Sequence, residues 1–449
     1  MVVATCAPAG ATISARLSPA EAVAVAIRRL QADNLDEAES LLDALSELLP
    51  DDADVLHFRG ILAHRRGRRE EALRLLQASL AVDPSYVDAH SNLGNVYKEM
   101  GDLENARAAY GRAIELDPKH AAALNNLGIT LRGLGHPDAA VEILLRAHEL
   151  SPGSADILQN LGGAYRARKD YARAIECYQK AIAIRPYNRD AYRYLAFTLY
   201  AMNEPEKATA LVRQWLEFDP GSPSARHLLA AYGGAPAPER ADDRYILELF
   251  EDFAGSFDQV LRDIRYRAPQ LVANSLAAAF PSSRGSLHIV DAGCGTGLCG
   301  PLVRNYARVL LGIDLSPKML AQARAKTVYD RLLEDEITAF LQAAQPGSID
   351  ALISADTLCY FGSLDALLAA AFAALASNGA FIFTVEKDDG DAGARGYRLC
   401  AHGRYSHGAG YLKRSLASAG FKLEDLQTQV LRREMDSDVQ GFVVTARRP

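Results

Sequence analysis

The sequence lacks the features that mark membrane, disulfide-rich and nucleic-acid-binding proteins. Its 449 residues contain no run close to the ~18 apolar residues of a membrane-spanning helix, so no membrane partner is expected. The six cysteines form no C-x-x-C pair, which argues against a zinc site and indicates free thiols in a reducing compartment. A net charge of −7 argues against a nucleic-acid partner.

The beginning of the chain also lacks a targeting signal. Its first residues have neither a basic segment nor a long apolar core, so no signal peptide is predicted. We expect a flexible N-terminus at residues 1–18. Together with the missing membrane and metal patterns, this predicts a cytoplasmic protein with no bound metal.

A step of 34 residues runs through the first half of the chain. The series that show it are Pro50, Pro84, Pro118, Pro152, Pro186 and Pro220, and Ala38, Ala72, Ala106, Ala140, Ala174 and Ala208. This period, with the pattern Leu93-Gly94-x-x-Tyr97, resembles the tetratricopeptide repeat. The resemblance implies an N-terminal all-α superhelix of stacked helix pairs, whose groove binds a partner and performs no chemistry. About six repeats are predicted at 19–222, in a domain at 19–232.

One asparagine precedes the Leu-Gly position in three consecutive repeats, at Asn92, Asn126 and Asn160. Such a ladder resembles that of the protein O-linked N-acetylglucosamine transferases, where side-chain amides hold an extended peptide. An amide offers a donor and an acceptor, so it can pair with any peptide unit. The resemblance implies a peptide or protein partner bound by these asparagines. The alternative is that they cap or bridge neighbouring repeats through hydrogen bonds.

The second half contains a glycine-rich turn. An apolar strand predicted at 287–291 ends in Asp291, and glycines follow at Gly293, Gly295 and Gly297. Glycine permits positive φ and lets a ligand lie on bare backbone. The turn is therefore predicted to bind a ligand.

A second acid lies where a ribose-binding carboxylate is expected. The strand predicted at 308–313 leads into Asp314, 21 residues after Gly293, close to the ~20 of dinucleotide-binding folds. The turn D-x-G-x-G-x-G and the run Gly312-Ile-Asp-Leu-Ser resemble motifs I and II of the class I methyltransferases. The resemblance implies a C-terminal α/β domain of Rossmann-like fold that uses S-adenosylmethionine and yields S-adenosylhomocysteine. The alternative is a structural turn in another doubly wound domain.

A Gly/Pro-rich stretch predicts a linker at 233–243, followed by a helical lead-in at 244–280. The lead-in resembles a segment of bacterial methyltransferases that carry tetratricopeptide repeats, in which it folds over the cofactor as a lid. The lid candidates are Tyr245, Phe253, Tyr266 and Arg267. An ordinary packing helix is the alternative.

Strands alternate with helices over 281–449, which predicts a doubly wound sheet, and the resemblance implies that this stretch is the methyltransferase domain. The predicted strands lie at 287–291, 308–313, 331–333, 349–354, 379–385, 422–428 and 440–446. The last two predict the antiparallel C-terminal hairpin of methyltransferases. Ligands are expected at the carboxyl ends of the first strands.

Residues after the third and fourth strands complete the cofactor site that the resemblance implies. Glu336 would accept the adenine amine and Ile337 would supply a backbone donor, with Asp335 as the alternative acid. Asp356 and Tyr360 would face the sulfonium and the acceptor, since an aromatic face stabilises positive charge. Core packing is the alternative for Tyr360. The implied cofactor residues are Asp291, Gly293, Cys294, Gly295, Gly297, Asp314, Leu315, Glu336, Ile337, Asp356, Tyr266 and Arg267.

A polar loop after the fifth strand contains the remaining catalytic candidates, and it resembles the G-R-Y-x-H signature of the same repeat-bearing family. Methyl transfer needs an acceptor held in line and a base if the acceptor keeps its proton. His407 is the predicted base, with Glu386 orienting or replacing it. Arg404 would hold an anionic or carbonyl group of the substrate, and Tyr405 and Tyr360 are further candidates.

The sequence therefore predicts methyl transfer from S-adenosylmethionine to a peptide or protein presented by the repeat groove. One alternative is a methyltransferase for small molecules or natural products, whose repeats serve assembly. Another is a non-catalytic scaffold with a vestigial cofactor site, against which the intact glycine turn argues. The acceptor atom and the oligomeric state are left open.

Overall fold

Two compact units make up the chain, Met1–Thr198 and Leu199–Pro449. The computed structural model describes residues 2–6, 13–251, 257–390, 395–434 and 437–449. The division between the units falls inside a helix of the last repeat, whereas the sequence predicts the boundary in the linker at 233–243.

A short antiparallel strand pair precedes the helices of the first unit. β1 (Val2–Cys6) pairs with β2 (Ile13–Leu17), with Val2 opposite Leu17. Both runs carry β-branched residues, which favour strands. The structure here differs from the flexible N-terminus that the sequence predicts.

Helix pairs in the predicted frame make up the rest of the first unit. The helices are α1 (Pro19–Gln31), α2 (Leu35–Leu48), α3 (Ala53–Arg65), α4 (Arg69–Val82), α5 (Val87–Glu99), α6 (Leu103–Leu116), α7 (Ala121–Gly133), α8 (Pro137–Leu150), α9 (Ala155–Ala167), α10 (Tyr171–Ile184) and the start of α11 (Arg189–Ala201). Successive first helices begin 34 residues apart, which confirms the tetratricopeptide frame. The predicted alanine series from Ala38 to Ala208 is fully buried.

Close contact within four of the helix pairs depends on one glycine. The pairs that show this relation are Gly60 with Leu76, Gly94 with Tyr110, Gly128 with Leu144 and Gly162 with Tyr178. A Cβ on Gly94 would lie 2.6 Å from the ring of Tyr110, which is itself fully buried. The large side chain of the second helix therefore fills the space that the glycine leaves on the first.

Gly94→Ala tests this packing. The added Cβ would overlap the ring of Tyr110, and overpacking of this kind costs about 1–3 kcal/mol. We expect a lower melting temperature in circular dichroism. Gly111→Ala, within α6, is the control, because no described atom lies within 4 Å of its added Cβ. Alanine is the better helix former by about 0.5–1 kcal/mol, so this variant should be at least as stable as the wild type. Equal melting of the two variants would contradict the packing argument.

The second unit begins with helices and continues as an alternating α/β chain. Its elements are α12 (Pro205–Phe218), α13 (Pro223–Ala231), α14 (Asp243–Glu251), α15 (Phe257–Asp263), α16 (Ala268–Ala279), β3 (Leu287–Ala292), α17 (Gly300–Val303), β4 (Ala307–Asp314), α18 (Pro317–Ala325), β5 (Arg331–Glu334), α19 (Ile337–Ala343), β6 (Ile349–Ser354), α20 (Asp365–Ala374), β7 (Leu375–Lys387), β8 (Tyr397–Leu399), β9 (Tyr405–His407), α21 (Ala409–Ser418), β10 (Lys422–Glu434) and β11 (Ser437–Arg447).

These strands form one sheet in the order β10-β11-β7-β6-β3-β4-β5, with β9 also beside β7 and β8 beside β9. The strands from β3 to β7 pair in parallel, whereas β11 is antiparallel to both β7 and β10. The predicted α/β fold and its antiparallel C-terminal hairpin are confirmed. After β5 the chain returns to the other side of β3, so the carboxyl ends of β3 and β6 flank the point where ligands bind in such sheets.

The last helix before the predicted linker, α13, packs within the second unit. The ring of His227 stacks on Tyr245 with centroids 4.0 Å apart, and its Nε2 lies 2.8 Å from the carbonyl oxygen of Gly403. Ser224 donates to Glu248 on α14 at 2.6 Å. These buried contacts explain why the boundary between the units lies before α12 rather than after α13.

Candidate active site

A cavity of about 360 Å³ lies at the carboxyl ends of β3, β4 and β6. Its floor is formed by residues that follow these strands and β5, namely Gly293, Cys294, Gly295, Asp314, Leu315, Glu336, Ile337, Ala355, Asp356 and Thr357. Apolar side chains of α14 and α15 cover it, including Ile246, Leu249, Phe250, Phe257 and Leu261. Most of the predicted cofactor residues therefore meet at one cavity.

The three predicted glycines all have positive φ, but each fills a different need. Gly293 has a φ of 74°, and a Cβ there would lie 2.3 Å from the side chain of Thr357. Gly295 has a φ of 53°, and its Cβ would point into open space, with a carbon of Phe257 at 4.0 Å. Gly297 packs against Tyr329 behind the turn, where a Cβ would lie 2.8 Å from the ring. Gly295 thus presents bare backbone to the cavity.

Asp314 ties this turn to the end of β4. Its two carboxylate oxygens accept hydrogen bonds from the backbone N–H of Gly295 at 2.8 Å and of Ser316 at 2.9 Å. Burial raises the pKa of Asp314 despite these bonds. Each oxygen keeps a further lone pair, so a carboxylate on the cavity wall can accept hydrogen bonds from a ligand's hydroxyl groups.

Asp291 supports the turn from behind. It is buried, and the described wall of the cavity does not include it. Its Oδ2 accepts a hydrogen bond from the hydroxyl of Tyr329 at 2.6 Å, and its Oδ1 has no partner among the described residues. Burial raises the pKa of Asp291 to about 7. The acid predicted to touch the cofactor is therefore placed one layer below it.

The third strand brings Glu336 and Ile337 to the cavity, while Asp335 is exposed outside it. Oε2 of Glu336 accepts from the backbone N–H of Ala339 at 2.9 Å and caps α19. Its buried Oε1 has no hydrogen-bond partner among the described residues, and the nearest cation is Arg240 at 3.9 Å. Glu336 therefore fits the role of adenine acceptor better than Asp335 does.

Five charged side chains meet at the end of the cavity formed by β6, β7 and β10. We call Asp356, Glu386, Arg404, Arg432 and Glu434 the charge cluster. Arg404 donates to Glu386 at 2.5 Å and to Glu434 at 2.7 and 2.9 Å. Arg432 donates to Glu434 at 2.7 Å and also to Asp356 and Glu386. With every group ionised, three carboxylates face two guanidinium groups.

The pKa values of two acids in the charge cluster shift in opposite directions. Burial raises the pKa of Glu386, but Arg404 and Arg432 outweigh burial and hold that pKa below its usual value. Burial dominates at Asp356 and raises its pKa even with Arg432 beside it. Oδ1 of Asp356 has no partner among the described residues. Asp356 is therefore the acid of the cluster best able to accept a proton on the cavity wall.

The predicted catalytic residues separate into two groups. Arg404 and Tyr360 lie on the cavity, and Glu386 lies directly behind Arg404. His407 and Tyr405 are fully buried and do not contribute to the described cavity wall. His407 donates to the carbonyl of Gly362 at 3.0 Å, and burial lowers its pKa to about 4.

His407 and Tyr405 belong to β9, a strand in a segment for which the sequence predicts a loop. Pairing of β9 with β7 and β8 places these side chains inside the domain. The hydroxyl of Tyr405 donates to the carbonyl of Pro238 at 2.8 Å. The structure thus places the predicted base His407 where no acceptor bound in the cavity can reach it.

The lead-in covers the cavity with side chains other than those predicted. Tyr266 lies on the wall and donates to the carbonyl of Ala355 at 3.3 Å, whereas Arg267 is exposed and outside the wall. Tyr245 packs on His227, away from the described wall. Phe253 lies outside the described residues. The aromatic cover instead comes from Phe250, whose ring meets those of Phe257 and Tyr360 edge-on with centroids 5.9 and 5.6 Å apart.

Sequence reasoning missed Arg432, Glu434, Arg240 and Tyr329. Arg432 is 3% exposed, although it lies in the strongly charged run Leu431-Arg-Arg-Glu. The predicted strand ended at residue 428, and extending it through this run would have placed alternate charges on the inner face of the sheet. Tyr329 lies in a loop without a motif, and no signal in the sequence marks it.

In the first unit, the predicted asparagine ladder bonds to side chains of the neighbouring repeat. Nδ2 of Asn126 donates to Asn95 at 3.0 Å, and Nδ2 of Asn160 donates to Asn125 at 3.0 Å. Nδ2 of Asn92 lies 2.9 Å from Nε2 of His57. These contacts match the bridging alternative and leave a peptide-binding role to be proposed.

Arg432→Leu tests the charge cluster. It leaves Asp356 and Glu386 buried without their shared cation, and removing one partner of a buried ion pair costs about 3–5 kcal/mol. We expect unfolding at a clearly lower urea concentration. Arg433→Leu is the matched control, since the neighbouring side chain is exposed and should change stability by less than about 0.5 kcal/mol. Equal urea midpoints for the two variants would show that the cluster does not hold the fold together.

None of the helices in the described residues is both long and apolar enough to cross a membrane. No group of three or more His, Cys, Asp or Glu side chains in those parts of the chain could hold a metal ion.

The fold and the cavity together define the class of the second unit. A glycine turn after β3, an acid at the end of β4 and an antiparallel final strand in a parallel sheet are the features of a class I methyltransferase domain. Comparison with known families agrees, because residues 290–383 match the family described as "Methyltransferase domain". Tetratricopeptide repeat families match residues 60–101, 86–152, 127–189 and 165–232. The chain thus combines tetratricopeptide repeats with a methyltransferase domain.

Individual relatives cover only part of the chain. It is 39% identical to human Methyltransferase-like protein 27 over 87 residues, which are 19% of this chain and 36% of that protein. It is 32% identical over 99 residues to Malonyl-[acyl-carrier protein] O-methyltransferase of Pectobacterium atrosepticum, covering 22% of this chain and 37% of that protein. The crystal structure of MamA is similar with 27% identity and a TM-score of 0.34, over 35% of this chain and 92% of that chain. The chain spans little more than a third of either curated relative.

Proposed function

We propose that this protein transfers a methyl group from S-adenosylmethionine to an acceptor on a peptide or protein held by the repeats. The observation that carries the proposal is the bare backbone of Gly295, which faces the cavity and is fixed by Asp314. Packing against Thr357 and Tyr329 accounts for Gly293 and Gly297, but no packing contact requires a glycine at Gly295, and this argues against a vestigial site.

The chain's own groups fit the cofactor. The lone pairs of Asp314 suit ribose hydroxyls, and the unpartnered Oε1 of Glu336 suits the adenine amine, with Ile337 beside it. Cys294 and Leu315 complete that wall. When bound, S-adenosylmethionine supplies an electrophilic methyl group on a sulfonium. The rings of Phe250 and Tyr360 offer aromatic faces to positive charge and exclude water.

The acceptor end favours a group with an N–H or O–H to donate. Arg404 already donates through Nε to Glu386 and through Nη2 to Glu434, so two carboxylates offset its charge and it suits an anion less well than the sequence predicts. Asp356 instead presents a free oxygen and a raised pKa. A carboxylate whose pKa is raised towards the working pH is the better general base. We assign to Asp356 the proton acceptor's role in place of His407.

A peptide or protein acceptor is supported by the repeats, which present a series of amide side chains on successive helices. A second candidate is a small-molecule acceptor, with repeats used for assembly. It is favoured by the apolar cover of the cavity and by the bridging bonds of the asparagines. The described cysteines are unpaired, which suits the reducing cytoplasm.

Calorimetric titration with S-adenosylmethionine and S-adenosylhomocysteine tests the cofactor assignment. We expect micromolar binding, about −8 kcal/mol. Asp314→Ala removes the ribose acceptor and loosens the glycine turn, so its affinity should fall by at least about tenfold, which is ~1.4 kcal/mol. Asp335→Ala is the control, since that side chain is exposed outside the cavity. Unchanged binding by Asp314→Ala would reject the ribose assignment, and a wild-type protein that binds neither compound would reject the enzyme.

A further inference from the structure

One tyrosine ring fills a space that three glycines leave behind the cavity. Tyr329 lies in the loop between α18 and β5. A Cβ on Gly297, Gly300 or Gly312 would lie 2.8, 2.7 or 3.0 Å from a carbon of its ring. These glycines belong to the turn after β3, to the start of α17 and to β4. Of the three, only Gly297 has a positive φ, so what they share is close contact with this ring.

The hydroxyl of the same tyrosine reaches the acid beneath the turn. It donates to Oδ2 of Asp291 at 2.6 Å, and Oδ1 of this buried acid has no partner among the described residues. Burial, and next to it the charge of Asp291, raise the pKa of Tyr329 above its usual value. The hydroxyl therefore keeps its proton and acts as a donor to the carboxylate.

The next residue anchors the loop of Tyr329 to the sheet. The backbone N–H of Asp330 donates to the carbonyl of Leu310 on β4 at 2.9 Å. Its Oδ2 accepts from the N–H of Leu310 at 2.7 Å and from Arg304 at 2.6 Å. The ring is thus held against β4 by its own loop, and the glycine turn packs on a fixed surface.

We propose that Tyr329 is a positioning residue for the cofactor, whose ring and hydroxyl hold the glycine turn in the conformation that binds S-adenosylmethionine. The inference rests on the proposed function, and it gives a role to a side chain outside the described cavity wall. Gly295 offers the cavity no side chain, so its position depends on what supports the turn. A turn that keeps its binding conformation only about a tenth of the time would bind about tenfold more weakly.

The state of Asp291 should control how firmly the hydroxyl is held. A hydrogen bond to an ionised carboxylate is stronger than one to a neutral acid. The groups that face Asp291 are the hydroxyl of Tyr329, the carboxyl of Asp314 and the thiols of Cys294 and Cys299. Burial keeps both thiols neutral, because it raises their pKa. Since the pKa of Asp291 is about 7, the bond is strongest above that pH and weakens below it.

Calorimetric titration of the full chain with S-adenosylhomocysteine at about pH 8.5 and about pH 5.5 tests the inference. Tyr329→Phe keeps the ring and removes the hydrogen bond. At the higher pH we expect this variant to bind about tenfold more weakly than the wild type. At the lower pH the difference should shrink below about threefold, because the wild type has then lost the ionised partner.

Tyr306→Phe is the matched control. Its ring packs on the same core cluster as Tyr329 and lies outside the described cavity wall. This variant should bind as the wild type does at both pH values. Circular dichroism on the same samples checks that each protein is folded at the temperature of the titration.

Gly300→Ala tests the ring from the other side, because its Cβ would lie 2.7 Å from the ring of Tyr329. It should weaken binding at the higher pH. Combined with Tyr329→Phe it should cost less than the sum of the two single changes, since both act through the same contact. Additive losses would mean that the glycine and the hydroxyl act separately, which would overturn their common role.

The outcomes separate this inference from the proposed function. Equal affinities of the wild type and Tyr329→Phe at both pH values would reject the positioning role and keep the cofactor site. A loss of the same size at both pH values would reject the part assigned to the bond with Asp291. A wild type that binds neither S-adenosylhomocysteine nor S-adenosylmethionine would reject both the positioning role and the proposed function.

Discussion

The cofactor site depends on a carboxylate that joins two strand ends. Asp314 accepts from Gly295 with one oxygen and from Ser316 with the other, so the turn after β3 and the helix start after β4 share one buried acid. Burial disfavours its charge, and only the backbone donors offset that cost. Because the turn has no side chains of its own at Gly293 and Gly295, its shape is set by what surrounds it: Asp314 in front, Thr357 beside it and the Tyr329–Asp291 pair behind.

At the other end of the cavity the acids are stabilised by arginine side chains instead of backbone donors. The acids and arginines of the charge cluster neutralise one another. The arrangement leaves one net negative charge when every group is ionised, with the open position on Asp356. At one end of the cavity the acids Asp314 and Glu336 accept hydrogen bonds from backbone N–H groups, and at the other end acids and arginines neutralise one another. The apolar side chains of α14 and α15 cover the cavity. A cofactor with a polar nucleoside and a cationic centre matches that division.

The 34-residue step and the glycine turn could be predicted from the sequence because they depend on local spacing near helix and strand ends. The structure brings Asp314, Glu336 and Ile337 to the cavity, as the resemblance implies, and their contacts with a cofactor stay predictions. What the sequence predicted poorly depends on chain segments that meet only in the fold. Arg432 lies 76 residues from Asp356 along the chain, and no local pattern reports that they are in contact.

The same reason accounts for the misplaced base. The run around His407 is polar in composition, which is typical of an exposed loop. The pairing of β9 with the carboxyl end of β7 joins residues far apart in the sequence and buries His407 completely. The structure places Arg404 of this segment on the cavity wall, bonded to Glu386 and Glu434. It buries Tyr405 and His407 away from that wall.

The placement of α13 limits how this protein can change its length over evolution. That helix continues the step of the repeats, yet His227 and Ser224 bond to parts of the methyltransferase unit. Gain or loss of a whole repeat upstream would keep the packing of its neighbours, because four repeats share the same contact between a glycine and a large side chain. Near α13 an insertion of the same size would displace the loop that carries Arg404. The number of repeats can therefore change only upstream of α13. The length of the repeat domain can then vary while the residues of the cavity keep their positions.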